Sequence, residues 1–346
     1  MTTMKEIAQA TGVSVSTVSL VVNGRDQGRV KPDIAKRVRA EAKKIGYRPN
    51  PLARSLRTSH TRIIGFVSEE VATTPYAGGI IMGAQDAAAR LGYMLITVST
   101  DGVAEEEREF AALKRYGVDG FLYAKMYNQL ADVPPVLRQL PVVVANGIER
   151  TGMVPSIAPD EYGIGYNATK RLINAGCQRI AYIGDQDPIL AQGLRFKGYQ
   201  SALGDAGITA DPKLVANVGF NQEAMDAVEA MIEAGNPDGF FCFNDSRSWY
   251  VYQAAARRGL TIGRDWSLVG VDNHRVFAET LAPRLTTIEL PHYEMGYWAA
   301  CKLVSMIEHK DESPALHTQT RAPLPSLQAP RPALIHCQLI EKDSVR

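Results

Sequence analysis

The chain has 346 residues, of which 38 are Lys or Arg and 37 are Asp or Glu, so its formal net charge is +1. Taken whole, that balance speaks against a nucleic-acid binder, which usually carries a basic excess. The 45% hydrophobic and 22% charged make-up is that of an ordinary globular protein, and no apolar run reaches the roughly 18–20 residues of a membrane span. The average conceals a split. Residues 1–60 hold 12 basic against 4 acidic side chains, a net +8 that leaves −7 for residues 61–346. This is the pattern of a small basic module joined to a larger acidic one.

In chain order, Thr3 and Glu6 form a T-x-x-E capping box ahead of Ile7 and Ala8, and the helix ends near Thr11-Gly12. Ser14 caps a second helix, whose Val18, Val21 and Val22 make an apolar stripe before Asn23-Gly24 stops it. A third opens with Pro32, places Ile34, Val38, Ala42 and Ile45 on one face, and ends at Gly46. The first two, joined by a short turn from which Val13 packs inward, are either a pair inside a helical domain or a helix-turn-helix that enters the DNA major groove. The N-terminal position, the basic excess, and the small or hydroxylated Ser14, Ser16, Thr17 and Ser19 favour DNA. Asn50 and Pro51 then begin a helix too short to be stable alone, so residues 50–61 read as a basic hinge or linker.

From Arg62 the rhythm changes. Strand-like RIIGFV, YMLITVS, GFLYA and PVVVAN alternate with helical patterns over 76–91, 104–115 and 133–139. After Asp160 come a helix to Ala175, RIAYIG, a helix near 190–206, KLVANVG, a helix over 221–234, GFFCF, a helix over 246–258, and SLVGVD. Such alternation predicts an α/β fold of two doubly wound lobes with parallel sheets, whose ligand sits at strand carboxyl ends in the cleft between them. LTTIELP reads as a strand, 292–309 as a helix and LIHCQLIEK as one final strand, with the proline-rich 313–332 as a long surface loop. The expected domains are 1–49 (helix-turn-helix), 50–61 (hinge) and 62–346. Within the last, lobe 1 takes about 62–159 and 292–322, and lobe 2 about 160–291 and 323–346.

Cys177, Cys242, Cys301 and Cys337 form no CxxC pair and read as reduced core thiols of a cytoplasmic protein. Lys5 and Glu6 interrupt any signal-peptide core, so neither export nor membrane attachment is expected. The dispersed histidines predict no metal, and no cofactor is implied. No G-x-G-x-x-G or P-loop follows a strand and no G-x-S-x-G elbow is present, so an enzyme is not expected.

TMKEIAQATGVSVSTVSLVVNG, followed by GYRPNPLARSLRT, closely resembles the lactose-repressor (LacI) family of bacterial transcription regulators. The resemblance continues through IIGFV, LRFKGY, FCFND, LVGVD, LTTIELPHYEMG and LIEKDSV, covering essentially the whole chain. It implies a homodimer whose recognition helices read half-sites of a palindromic double-stranded operator. On that resemblance Val15, Ser16 and Leu20 face bases, while Thr17, Ser19 and Asn23 touch phosphates; for Val15 the alternative is simple packing. Leu20 replaces the arginine often found there and cannot make a bidentate guanine contact, so an apolar readout such as a thymine methyl, or a weaker direct readout at that base pair, is expected. Ala53 and Leu56 match the family's minor-groove hinge helix, in which paired leucines wedge open a base step. Packing of Leu56 on the core domain is the alternative.

For the large domain the resemblance extends to periplasmic sugar-binding proteins, with an effector between the lobes. Arg195, Asn244, Asp245 and Asp272 match effector-binding positions, where a guanidinium fork and carboxylates suit hydroxyl groups. Asp245 is equally well placed to cap the next helix. Tyr76 and Phe220 either stack on a sugar ring or pack in the core or between lobes. Tyr123, Lys125 and Asn146 stand just past strand ends, towards the cleft. Leu290 occupies a position where the family often has glutamine. The family thus implies a repressor released by a carbohydrate, or in some members one tightened by a purine corepressor. A sugar-binding receptor and a doubly wound enzyme are the competing classes.

Overall fold

The computed structural model describes residues 3–47, 60–69, 78–100, 103–310 and 320–346. The expected hinge residues Ala53 and Leu56, and the expected cleft residue Tyr76, lie outside the described residues. The chain divides into two compact units, Met1–Arg62 and Ile63–Arg346.

The first unit holds α1 (Met4–Thr11), α2 (Val15–Val22) and α3 (Pro32–Lys44). Thr3 accepts from the Glu6 amide and Ser14 from the Thr17 amide, so both predicted N-caps form. Ile7, Val18, Val21, Ala35 and Val38 close one small core, with Val13, Ile34 and Ile45 packed at its edge. Arg39 binds both oxygens of the buried Asp26 at 2.8 and 2.6 Å, which ties the loop after α2 to α3.

The second unit begins with β1 (Ile63–Glu69), α4 (Gly78–Arg90), β2 (Met94–Thr100), α5 (Val103–Arg115), β3 (Gly120–Ala131), β4 (Val142–Glu149) and β5 (Ser156–Pro159). It continues with α6 (Glu161–Asn174), β6 (Ile180–Asp185), α7 (Leu190–Asp205), β7 (Val215–Val218), α8 (Gln222–Gly235), β8 (Gly239–Cys242), α9 (Asp245–Arg257), β9 (Ser267–Asp272), α10 (Arg275–Thr280) and β10 (Thr286–Glu289). Last come α11 (His292–Glu308), β11 (Ala333–Ile335) and β12 (Gln338–Ile340).

Two six-stranded sheets result, with orders β11-β5-β4-β3-β1-β2 and β12-β10-β9-β8-β6-β7. All pairings are parallel except that of β12 with β10. Both sheets follow the same winding, so each has a switch point beside its first strand and directs strand carboxyl ends towards one edge. The chain passes between lobes three times: from β5 to α6, from β10 to α11 and from β11 to β12.

Three expectations need correction. LIHCQLIEK is two strands rather than one, because β11 pairs with β5 in the first sheet and β12 with β10 in the second. The last passage therefore falls after Ile335, and residues 323–335 belong with lobe 1 instead of lobe 2. The described part of the proline-rich stretch has no helix or strand, as expected of a surface loop, but it is anchored to lobe 1. Ala322 and Leu327 are buried in the lobe 1 core, while Trp298 and Lys302 of α11 donate to the carbonyls of Pro325 and Leu327 at 2.9 and 2.8 Å. Finally, 133–139 forms no full helix, only a short turn at Leu137–Gln139. Pro135 disfavours helical backbone at Pro134, which accounts for the difference.

Glycines set the closest helix contacts in both lobes. A Cβ at Gly83 would overlap the Tyr293 carbonyl, and one at Gly296 the Ile80 carbonyl, so α4 and α11 touch backbone to backbone. Gly165 and Gly198 do the same for α6 and α7, against the carbonyls of Arg195 and Tyr162. All four cysteines are buried, and none is joined in a disulfide. Among the described residues, no helix is long and apolar enough to cross a membrane.

Candidate functional site

In the small unit, α2 turns Val18 and Val21 into the core. At about 100° per residue, Ser16, Ser19, Leu20 and Asn23 fall on the opposite side of the helix. Val15 is 41% exposed and lies outside the core, so packing does not account for it. Two expected phosphate contacts are already engaged within the helix. The Thr17 hydroxyl lies 2.9 Å from that of Ser14, and the Asn23 amide donates to the Ser19 carbonyl at 2.7 Å. Both arrangements hold short polar groups in fixed positions on the surface of a basic module.

In the large unit, the strand ends of the two lobes enclose a cavity with about 570 Å³ of empty space, part of it open to solvent. Asn146 lines it from lobe 1; Arg195, Asn244 and Asp272 line it from lobe 2. Arg195 is 3% exposed. Its Nε donates to Glu161 Oε2 at 2.6 Å, its Nη1 donates to the Phe243 carbonyl, and its guanidinium lies 4.4 Å from the centre of the Phe243 ring. Burial alone would lower the Arg195 pKa, but Glu161 outweighs it and the net direction is up. The Asp272 carboxyl is pushed well above the usual carboxylate range, chiefly by burial and then by Asp245, with Arg195 opposing.

Backbone strain gathers at the same place. Of the eight non-glycine residues with positive φ among the described residues, Tyr127, Asn128, Asn146 and Asp272 all line the cavity. Left-handed backbone in side-chain-bearing residues persists only where the surroundings impose it, and its concentration here marks the cavity as a functional site.

Other expected residues stand elsewhere. Tyr123 does not reach the cavity. β3 continues to Ala131, which leaves Tyr123 in mid-strand, where its hydroxyl meets Glu106 at 2.9 Å and Lys125 at 3.1 Å. Lys125 is likewise turned away, paired with Glu69 at 2.7 Å. Asp245 is fully buried behind the cavity wall, and it is Asn244, not Asp245, that caps α9 by accepting from the Arg247 amide. Asp245 instead accepts from the Thr287 hydroxyl at 2.6 Å and the His274 amide at 2.7 Å, pinning β10 and the loop after β9 to α9. Phe220 is 66% exposed under the Arg247 guanidinium. It lines an outer hollow that shares Tyr127 and Asn244 with the main cavity.

Among the lining residues not foreseen are Tyr127, Asn128, Glu161 and His292. The first two sit at a register shift between Ala124 and Gln129, which an apolar run does not announce. Glu161 follows the Asp160 cap and reads from sequence as a first-turn helix charge. His292 supplies a polar ring beside Leu290; burial, then Arg195, lowers its pKa to about 4, so it is neutral at neutral pH.

Burial raises the Asp245 pKa to about 7, above its unfolded value of about 3.9. Its stabilising contribution is therefore full below about pH 4 and is lost as pH rises through about 7. We predict that the melting temperature falls between pH 5 and pH 7.5 and that Asp245→Asn flattens this dependence. An unchanged slope in the variant, measured by differential scanning fluorimetry, would contradict the assignment.

Comparison with known proteins now bears on both units. Residues 3–50 match the model for bacterial regulatory proteins of the lacI family, and residues 61–327 match that for periplasmic binding proteins and the sugar binding domain of the LacI family. A helix-turn-helix head followed by a binding-protein-like core defines the class: a DNA-binding transcription regulator rather than an enzyme. The chain belongs to the lacI family of bacterial regulatory proteins. It is 31% identical over 317 residues to the HTH-type transcriptional regulator RegA of Clostridium saccharobutylicum, covering 90% of this chain and 94% of that protein. It is also 31% identical over 316 residues to the transcriptional repressor PurR of Vibrio atlanticus, covering 90% and 93%. Among solved structures, the complex of the transcriptional regulator CelR with cellobiose aligns over 99% of this chain and 100% of its own, with a TM-score of 0.66 and 25% identity.

Proposed function

We propose that this regulator is a repressor that binds a palindromic operator as a homodimer and is released when a neutral carbohydrate occupies the cavity between its lobes. Val15, Ser16 and Leu20 read bases in this scheme, Thr17, Ser19 and Asn23 hold phosphates, and Ala53 and Leu56 act in the hinge. Arg195, Asn146, Asn244 and Asp272 hold the effector. The observation that carries the reading is the chemistry of the cavity wall. Asp272, Asn128, Asn146 and Asn244 line it, and their carboxyl and amide groups suit a ligand rich in hydroxyls. Arg195, its only Lys or Arg among the described residues, is already committed to Glu161. A phosphorylated or carboxylated effector would therefore meet no unengaged cation there.

The CelR structure, solved with cellobiose, supports a sugar; the PurR relative supports a second reading, a purine that tightens operator binding. A thermal-shift screen of neutral mono- and disaccharides and purines, followed by operator retardation at several salt concentrations, separates them. The expected result is a sugar that raises the melting temperature and weakens retardation. A purine that strengthens retardation would reverse the conclusion.

A further inference from the structure

Asn128 brings together features that are found separately in other lining residues. It is 1% exposed and lines the cavity. It follows Tyr127, and both have left-handed backbone, at φ 46° and 59°. The pair occupies the point where the pairing of β3 with β4 shifts register, between Ala124 and Gln129. Such irregularities re-aim a side chain out of its strand.

The Asn128 amide nitrogen donates to Glu161 Oε1 at 3.3 Å, a bond that runs from lobe 1 to lobe 2. The other Glu161 oxygen is held by Arg195 at 2.6 Å. This contact fixes which way the amide points, because turning its carbonyl towards the Glu161 carboxylate would set two acceptors face to face. Asn128 Oδ1 is therefore directed away from Glu161. It is buried, and no donor among the described residues reaches it. A buried carbonyl without a partner is costly, and a ligand donor removes that cost.

We infer that Asn128 determines effector specificity, its side-chain carbonyl accepting one hydroxyl of the sugar while its amide group holds Glu161 across the cleft. The inference rests on the sugar reading above and adds to it a requirement. The effector carries donors on two sides, one for Asn128 on lobe 1 and another for Asp272 on lobe 2. A ligand spanning both acceptors draws the lobes together through the Asn128–Glu161–Arg195 chain. An analogue lacking the first hydroxyl still binds lobe 2 but leaves the Asn128 carbonyl unmet.

The test uses full-length protein and the sugar that gives the largest thermal shift. Isothermal titration compares that sugar with its monodeoxy analogues, one ring position at a time, on wild type, Asn128→Ala and Asn128→Gly. Glycine suits the left-handed backbone and covers the case in which alanine fails to fold. Wild type should lose about ten-fold in affinity for one particular deoxy analogue. Both variants should bind the parent sugar about ten-fold more weakly and no longer distinguish that analogue, while still discriminating at the other positions. If the variants keep the wild-type ranking of all analogues, Asn128 is not the specificity residue, whatever sugar binds. If no sugar binds wild type, the carbohydrate reading fails, and this inference fails with it.

Discussion

Replacing Arg195 with alanine is expected to abolish the effector response and to destabilise the large unit by about 3–5 kcal/mol, the usual cost of breaking a buried ion pair from one side. Glu161 is 2% exposed, and without the guanidinium it must either keep an unpaired charge in the cleft or take up a proton. The Phe243 carbonyl and ring lose the same partner. Glu161→Gln alone leaves Arg195 without its carboxylate and should also destabilise. The double variant Arg195→Met with Glu161→Gln removes both charges and should recover most of the lost stability without recovering the response. Chemical denaturation of all three variants, with effector titration, checks the pattern. Additive losses in the double variant would show that the two side chains do not act as a pair.

The second large effect is expected from Gly165→Ala. The added Cβ would run into the Arg195 carbonyl, and α6 and α7 would have to separate. Glu161 lies one turn before Gly165 on α6, so the displacement pulls on the ion pair directly. Overpacking of this kind costs about 1–3 kcal/mol, and more where backbone is the obstacle. Gly193→Ala, on the same α7, provides the contrast, since a Cβ there meets nothing within 4 Å. It should be neutral or slightly stabilising, as expected for alanine replacing glycine in a helix. Equal unfolding midpoints and equal effector affinities for the two variants would refute the proposed role of the α6–α7 contact.

Much of the fold was legible because its elements obey local rules. Ser14, Pro32 and Gly12 punctuate the head where capping preferences place them, and the apolar runs of β1, β4, β6 and β9 declare buried parallel strands. Arg195, Asn244 and Asp272 were legible as cleft residues through family resemblance, whereas Asn146 was singled out as standing past a strand end and lines the cavity although β4 runs on to Glu149. What escaped was not local. The division of LIHCQLIEK between two sheets depends on partners far away in the chain, β5 and β10. Asn128 reaches the cavity through a register shift that composition does not encode. Asp245 stands beside Asn244, and only the packing of α9 against β10 decides which of the two faces the cavity.

The division of the last strands bears on how the protein is made. Residues 333–335 complete the first sheet and residues 338–340 the second, so each lobe lacks its outermost strand until residues 333–340 have been made. Emergence from the ribosome is therefore not followed by stepwise completion, lobe 1 and then lobe 2. Until then β5 and β10 stand at the sheet edges in place of β11 and β12, and both sheets gain their outermost strands within the same few residues of synthesis. A nascent chain stalled before Ala333 would carry two unfinished sheets instead of one finished lobe and one missing lobe.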